Sequence, residues 1–297
     1  MKIINGKKIS NKLNEDLADN IRTLKSKYGL VPSLVVIIVG KNPASKVYVR
    51  NKEIMAKKVG IKAKLKKFSE NISEKVLLAE IKKYNNNNSI DAILVQLPLP
   101  DHISSEKVID SINFKKDVDG FNSQNIGLLS LGRPNIIPCT PLGCFMLIKS
   151  VTEIKGKNIT IIGRSSIVGK PLAHLLTNNN ATVTLAHSKT KNIKKVSYTS
   201  DILIVAIGKP KLVKQDWIKK GTIIIDVGIN SIVEGSSKKL IGDVDYNNIL
   251  HKARAITPVP GGVGPMTIHC LLLNTTLLAI KRKKIAFKGL DMNIGYS

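Results

Sequence analysis

Asn158-Ile159-Thr160-Ile161-Ile162-Gly163-Arg164-Ser165-Ser166-Ile167-Val168-Gly169-Lys170-Pro171 is the stretch that decides the fold. A short apolar run ends in a glycine, a polar loop follows, and a second glycine opens a helical stretch reaching Asn178. Strand, Gly-containing loop and helix in that order are the pattern of a nucleotide-binding βα unit. A glycine lets the backbone turn tightly, and the N-terminus of the next helix offers unpaired N–H groups to a pyrophosphate. The loop departs from G-x-G-x-x-G, because the middle glycine is absent, so its context carries the reading rather than the motif alone.

Downstream, Thr182–Ala186, Ile202–Gly208 and Thr222–Gly228 repeat the strand theme, as expected of a Rossmann-type domain. The first of these ends at His187-Ser188-Lys189-Thr190, about 20 residues on, where NAD enzymes place an acid against the ribose hydroxyls. No acid stands there. Arg164, Ser188 and Lys189 suit a 2′-phosphate instead, since a guanidinium binds it bidentately and a carboxylate would repel it. NADP is therefore expected rather than NAD. His187 reads equally as a packed loop histidine or a ligand.

The first half alternates in the same way. Ser33 to Gly40 reads as a buried strand, Asn42 and Pro43 as a helix cap and first turn, and the helix runs to about Val59, where Gly60 stops it. Ile61 to Phe68 alternates weakly, Ser73 to Tyr84 reads as a helix, and Ala92 to Leu97 as a second buried strand ended by Pro98 and Pro100. Strands separated by helices indicate a parallel α/β sheet. Residues Lys115 to Pro141, rich in Gly, Asn, Asp and Pro, are expected to be loop and linker, with a domain boundary near Cys139 and a connecting helix from Leu142 to Val151. A Pro/Gly loop at Thr257 to Pro265 precedes a helix from Met266 to about Lys281, and the tail from Arg282 is expected to fray.

Composition sets the outer bounds. At roughly 100–200 residues per domain, 297 residues suggest two domains. A hydrophobic share of 43% fills a globular core and excludes a disordered chain. No run of about 18 apolar residues is seen, so no membrane span is expected, and the N-terminus lacks the apolar segment of a signal peptide. Cys139, Cys144 and Cys270 are too few for a disulfide framework and have no partners at metal-ligand spacing; a reduced, cytoplasmic setting and no metal are expected. The net charge of +26 admits a nucleic-acid surface, but the lysines are scattered, there is no basic arm or aromatic stripe, and the Asn runs at 85–88 and 178–180 point to compositional drift. No nucleic-acid partner is expected. The basic field would draw in anionic small molecules.

Ser45, Tyr48 and Lys52 lie three and four apart on the first predicted helix and so share a face. Gln96 stands near the carboxyl end of a buried strand, where α/β sheets place ligands, and needs a hydrogen-bond partner there. Asp117-Val118-Asp119-Gly120 reads by itself as an Asx turn with two acids. With Val95-Gln96-Leu97-Pro98-Leu99-Pro100, Pro138-Cys139-Thr140-Pro141, Gly242-Asp243-Val244 and the long block from Thr257 to Thr267, these stretches resemble the bifunctional methylenetetrahydrofolate dehydrogenase/methenyltetrahydrofolate cyclohydrolases. The resemblance runs from about Asn5 to Lys281.

The resemblance implies NADP-dependent oxidation of 5,10-methylenetetrahydrofolate and hydrolysis of the methenyl product to 10-formyltetrahydrofolate, within one-carbon metabolism. It implies a folate-binding α/β domain over 1–138 and 267–297, an NADP-binding domain over 139–266, an active-site cleft between them, a homodimer, and polyglutamylated substrates. By carry-over, Lys52 serves both chemistries, an amine drawn out of water giving up its proton more readily. Gln96 holds that amine, Tyr48 stacks on the aminobenzoate ring, and Asp119 accepts from the pterin. Ser45 and Cys139 support them, and Pro260, Gly261 and Gly262 let backbone approach the substrate. Gly163, Arg164, Ser165, Ser188 and Ile229 bind the cofactor. The alternatives are a single-activity or NAD-preferring member of the same fold, or a basic nucleic-acid-binding protein.

Overall fold

In the computed structural model the described residues are 1–234 and 237–290, without the side chains of 43–47, 234 and 237. In chain order, β1 (Lys2–Ile3) and α1 (Gly6–Tyr28) precede β2 (Ser33–Val39), α2 (Pro43–Val59), β3 (Lys62–Phe68), α3 (Glu74–Asn86) and β4 (Ala92–Val95). Then come α4 (Ser105–Ser111), α5 (Ser123–Ser130), α6 (Cys139–Lys149), β5 (Asn158–Ile162), α7 (Gly169–Asn178), β6 (Thr182–Ala186), α8 (Ile193–Tyr198) and β7 (Ile202–Val205). The chain closes with β8 (Ile223–Asp226), β9 (Asn230–Glu234), β10 (Ser237–Ile241), α9 (Tyr246–Ile249), β11 (Ala255–Ile256) and α10 (Val263–Lys283). The described residues fall into two units, one of 1–11 and 140–267, the other of 12–139 and 268–290.

The second of these units carries a three-stranded parallel sheet in the order β3-β2-β4. All seven residues of β2 are buried, which is why that strand is apolar throughout rather than alternating. The edge strand β3 exposes Lys62, Lys64 and Lys67, charges that discourage pairing with another chain. Ser73 caps α3 by accepting the Val76 N–H, and Leu77, Ile81 and Tyr84 lay one helical face onto Val35, Ile37 and Ile93 of the sheet. Each such buried apolar side chain stabilises the fold by about 1.5–3 kcal/mol.

The other unit holds a six-stranded sheet, β1-β11-β8-β7-β5-β6, parallel at every pairing. Taking β5 as its first strand, the order is 2-1-3-4-5 with β1 added at the edge. This is a doubly wound arrangement, and its switch point lies between β5 and β7. The first residues of the chain therefore group with the nucleotide unit and not with the folate domain expected of 1–138: Lys2 and Ile3 pair with Ala255 and Ile256. Two residues are too few to signal a strand without their partner.

Two further expectations need correction. Residues 115–141 are not loop throughout, because α5 forms there, capped by Asn122 and fixed by its buried Asn125. The tail does not fray at Arg282: its guanidinium pairs with buried Asp91, and Ile285, Phe287 and Leu290 pack against Leu24, Leu30 and Ile280. Residues 291–297 lie outside the described residues. Among the described residues, α10 is the one helix long and apolar enough to cross a membrane, and 78% of its apolar window is buried within the fold, as in a core helix.

That burial includes His269, whose Nδ1 meets the Asn14 side-chain oxygen at 2.8 Å and so carries the proton. Burial pushes its pKa down to about 4. As pH falls from 6.5 toward 4, the unfolded chain takes up this proton before the folded one, and roughly 3 kcal/mol of stability is withdrawn at the full shift. The loss of unfolding free energy between pH 7 and pH 5 is expected to be smaller in His269→Gln than in the wild type, as measured by urea denaturation. An equal loss would show that this histidine does not carry the acid sensitivity.

Candidate active site

Lys52 lies on α2 with its side chain drawn inward, only 9% exposed, and its Nζ donates to the Gln96 Oε1 at 3.0 Å. Gln96 immediately follows β4. Its backbone N–H extends the ladder to the Ile37 carbonyl (2.8 Å), and its side-chain NH₂ donates to the Leu97 carbonyl (2.7 Å). The second bond fixes the orientation of the amide, so its oxygen must face the amine. Strand end and helix thus hold a buried amine against a neutral acceptor. One turn earlier on α2, Tyr48 is 37% exposed, and partial burial raises its phenol above the usual range. The Ser45 side chain lies outside the described residues.

The two acids of the Asp-Val-Asp-Gly turn divide their work. Asp117 is buried, and its carboxylate accepts the N–H groups of Gly120 (3.1 Å) and Asn122 (2.8 Å) and the Asn125 Nδ2 (2.9 Å). Burial still wins, and its pKa rises to about 6. Asp119 is held differently. Burial raises its pKa, while the Lys52 charge and the Cys139 thiol draw it back. The lysine and the acid expected to face the pterin are therefore electrostatic neighbours. Cys139 has its thiol pushed well up by burial and then by Asp119, and donates to the Val118 carbonyl at 3.5 Å. A neutral thiol packs; it is no nucleophile.

Sequence reasoning missed Asn274. On α10 and 1% exposed, it donates to the carbonyls of Val118 (3.0 Å) and Ile137 (2.9 Å), tying together the two segments that carry Asp119 and Cys139. The signal was an amide inside an apolar helix, which demands buried partners.

In the nucleotide unit, Gly163 ends β5 at φ +124, and a Cβ there would sit 2.2 Å from the Ala206 carbonyl oxygen; only glycine fits. Ser165 closes the loop, its hydroxyl accepting the N–H groups of Val168 (3.2 Å) and Gly169 (3.3 Å) at the start of α7. Arg164, Ser188 and Lys189 are exposed, and Ile229 stands exposed after β8. His187 staples its own turn: its N–H donates to the Thr190 hydroxyl and its Nδ1 accepts the Lys189 N–H. A cramped glycine turn, a helix N-terminus, exposed cations and no acid after β6 fit an NADP phosphate set.

Pro260, Gly261 and Gly262 belong to the same unit. The Gly261 carbonyl accepts the Lys7 N–H at 2.9 Å, and a Cβ at Gly6 would fall 1.9 Å from the Gly262 oxygen. Part of what this loop needs its bare backbone for is the start of α1.

The catalytic-domain model of the tetrahydrofolate dehydrogenase/cyclohydrolase family matches residues 4–119, and its NAD(P)-binding-domain model matches 138–284. A bifunctional protein FolD of Wolbachia pipientis from Culex pipiens is 50% identical over 285 residues, covering 95% of this chain and 97% of the relative. The solved structure of a bifunctional FolD dehydrogenase/cyclohydrolase from Campylobacter jejuni superposes with a TM-score of 0.92 at 45% identity, covering 95% of this chain and 99% of that one. A Trypanosoma brucei counterpart, solved with NADP and an inhibitor, gives 0.91 at 36% identity, covering 96% and 98%.

All three cysteines are buried, and the Cys139 and Cys144 thiols are pushed up, the latter to about 12. Iodoacetamide at pH 8 is expected to leave the native protein unlabelled within an hour and to label all three cysteines after denaturation. Mass spectrometry reads the count, and labelled native Cys139 would contradict the neutral, packed thiol.

Proposed function

The chain belongs to the tetrahydrofolate dehydrogenase/cyclohydrolase family, and from that premise we propose that it is a bifunctional one-carbon folate enzyme. It oxidises 5,10-methylenetetrahydrofolate to the methenyl form with NADP⁺, then hydrolyses that product to 10-formyltetrahydrofolate. The observation that carries this reading is the buried Lys52–Gln96 pair beside Asp119, in a chain matched over nearly its whole length by bifunctional relatives.

NADP⁺ supplies a hydride acceptor when bound. Loss of hydride leaves the folate as a cation and releases no proton to the protein, so the first step asks the chain for position, and Lys52 beside Asp119 shares in that by aligning the folate without a proton transfer. Asp119 supplies position by accepting from the pterin amino group and ring N–H, a bidentate match for a carboxylate. Tyr48 offers its exposed ring to the aminobenzoate. The second step needs proton handling. Water adding to the cation gives up a proton, breaking the C–N5 bond requires one at N5, and the added oxygen sheds its second proton to solvent as it becomes the formyl carbonyl. Lys52, fixed by a neutral amide, takes the first and returns it at N5. Arg164, Ser188 and Lys189 hold the 2′-phosphate.

The same reading extends to polyglutamylated folates, whose anionic tails the lysine excess would attract, to a homodimer, and to a reducing cytoplasmic setting for the three buried cysteines. The 10-formyl product would serve purine synthesis.

Lys52→Met is expected to lower both activities by about 10²–10⁴-fold, read from the rise and decay of methenyl absorbance in one assay. Full cyclohydrolase activity in that variant would overturn the shared role of the amine. In the wild type, NADP⁺ is expected to saturate the dehydrogenase at lower concentration than NAD⁺; the reverse order would overturn the assignment of Arg164, Ser188 and Lys189.

A further inference from the structure

We propose that Asp243 is a positioning residue for the dinucleotide, with Asp226 as its support; this rests on the NADP-dependent reading above. Neither acid has a part in the chemistry just described. Asp243 is completely buried. Its Oδ2 accepts two successive backbone N–H groups, from Ile207 (2.8 Å) and Gly208 (3.0 Å), and its Oδ1 accepts the Asn230 Nδ2 (2.9 Å). Asp226, the last residue of β8, does the same one layer on: its Oδ1 accepts the N–H groups of Gly228 (3.0 Å) and Asp243 (3.0 Å), and its Oδ2 that of Val244 (3.0 Å). Its own N–H donates to the Thr257 hydroxyl at 2.8 Å.

The packing leaves no slack. A Cβ at Gly228 would lie 2.2 Å from the Asp243 Oδ1, and one at Gly242 would lie 1.9 Å from the Asp226 Oδ2. The segments joined in this way are the turns that follow β7 and β8, and the turn following β5 is tied in as well, since Ala206 closes on Gly163. Doubly wound sheets bind ligands at the carboxyl ends of such strands, at the switch point. One carboxylate therefore sets the turn that closes on the phosphate loop and the backbone leading into Ile229.

Three N–H donors meet its carboxylate and the side chain is wholly buried, so little of its charge is presented to an incoming phosphate. Alanine removes the acceptor and frees the 206–208 turn. Asparagine retains one oxygen for that turn, and its NH₂ can be met by a flipped Asn230 amide.

The test is NADP⁺ binding by calorimetry, beside cyclohydrolase turnover of supplied methenyltetrahydrofolate. Asp243→Ala is expected to raise the Kd for NADP⁺ at least ~10-fold and Asp243→Asn ~3-fold, as expected for lost hydrogen bonds to a charged acceptor. Cyclohydrolase kcat and KM should stay within ~2-fold in both. An unchanged Kd, or cyclohydrolase lost in step with binding, would overturn the positioning role. If the alanine variant does not fold, the asparagine variant decides by the same two readings. A wild type that binds no NADP⁺ would overturn the functional reading itself, a result distinct from failure of the clamp alone.

Discussion

Buried carboxylates that accept backbone N–H groups hold the ligand-facing turns of both units. Asp117 fixes the turn that carries Asp119, and Asp226 with Asp243 fixes the turns after β7 and β8. A carboxylate taken out of water without partners would be severely destabilising, and here each has three or more donors. Burial still leaves its mark, since Asp117 is pushed up to about 6 and Asp226 to about 7. The two acids are favoured protonated in the fold relative to the unfolded chain, so their contribution to stability falls as pH rises from about 4 to 7, opposite in sign to that of His269. Charges kept at such a disadvantage point to order in the turns as what they supply.

Around these anchors the reactive groups are arranged by exposure. Lys52 is buried and Asp119 half-buried, and the two act on each other, which a low local dielectric strengthens. Tyr48, Arg164, Ser188, Lys189 and Ile229 remain accessible, as groups that must meet a ligand should. Gln96 links the two kinds of residue. It belongs to the sheet through its backbone and to the site through its side chain, so the rigidity of β2–β4 reaches the lysine amine through two hydrogen bonds.

Most elements with a strong local pattern were legible. β2, β4, β5 and β7 are apolar runs stopped by Gly or Pro, and α7 follows its glycine loop to Asn178. The elements that escaped lack such a pattern for physical reasons. The buried face of α1 carries Ser10 and Asn14 among Leu17, Ile21 and Leu24, which dilutes its period. α5 contains Asn125 and Gly127 and depends on bonds from Asn125 to Phe114 and Asp117. Of the site, the residue types of Lys52, Gln96, Asp119 and the Gly163 loop could be read, while Asn274 could not, because its partners lie 135 or more residues away in sequence.

The amino-acid sequence by itself determined the α/β class, the strand–glycine–helix nucleotide loop, the phosphate-friendly rim without an acid, and the family to which the motifs belong. These are properties of local spacing and residue chemistry, which survive without knowledge of what packs against them. Only the tertiary structure decided that Asp117 builds a turn while Asp119 comes under the charge of Lys52, that Lys2 and Ile3 complete a distant sheet, and that Asp243 holds the turn that meets Gly163. Such assignments depend on which donors meet which acceptors across long separations in the chain, and folding settles that by satisfying every polar group it buries.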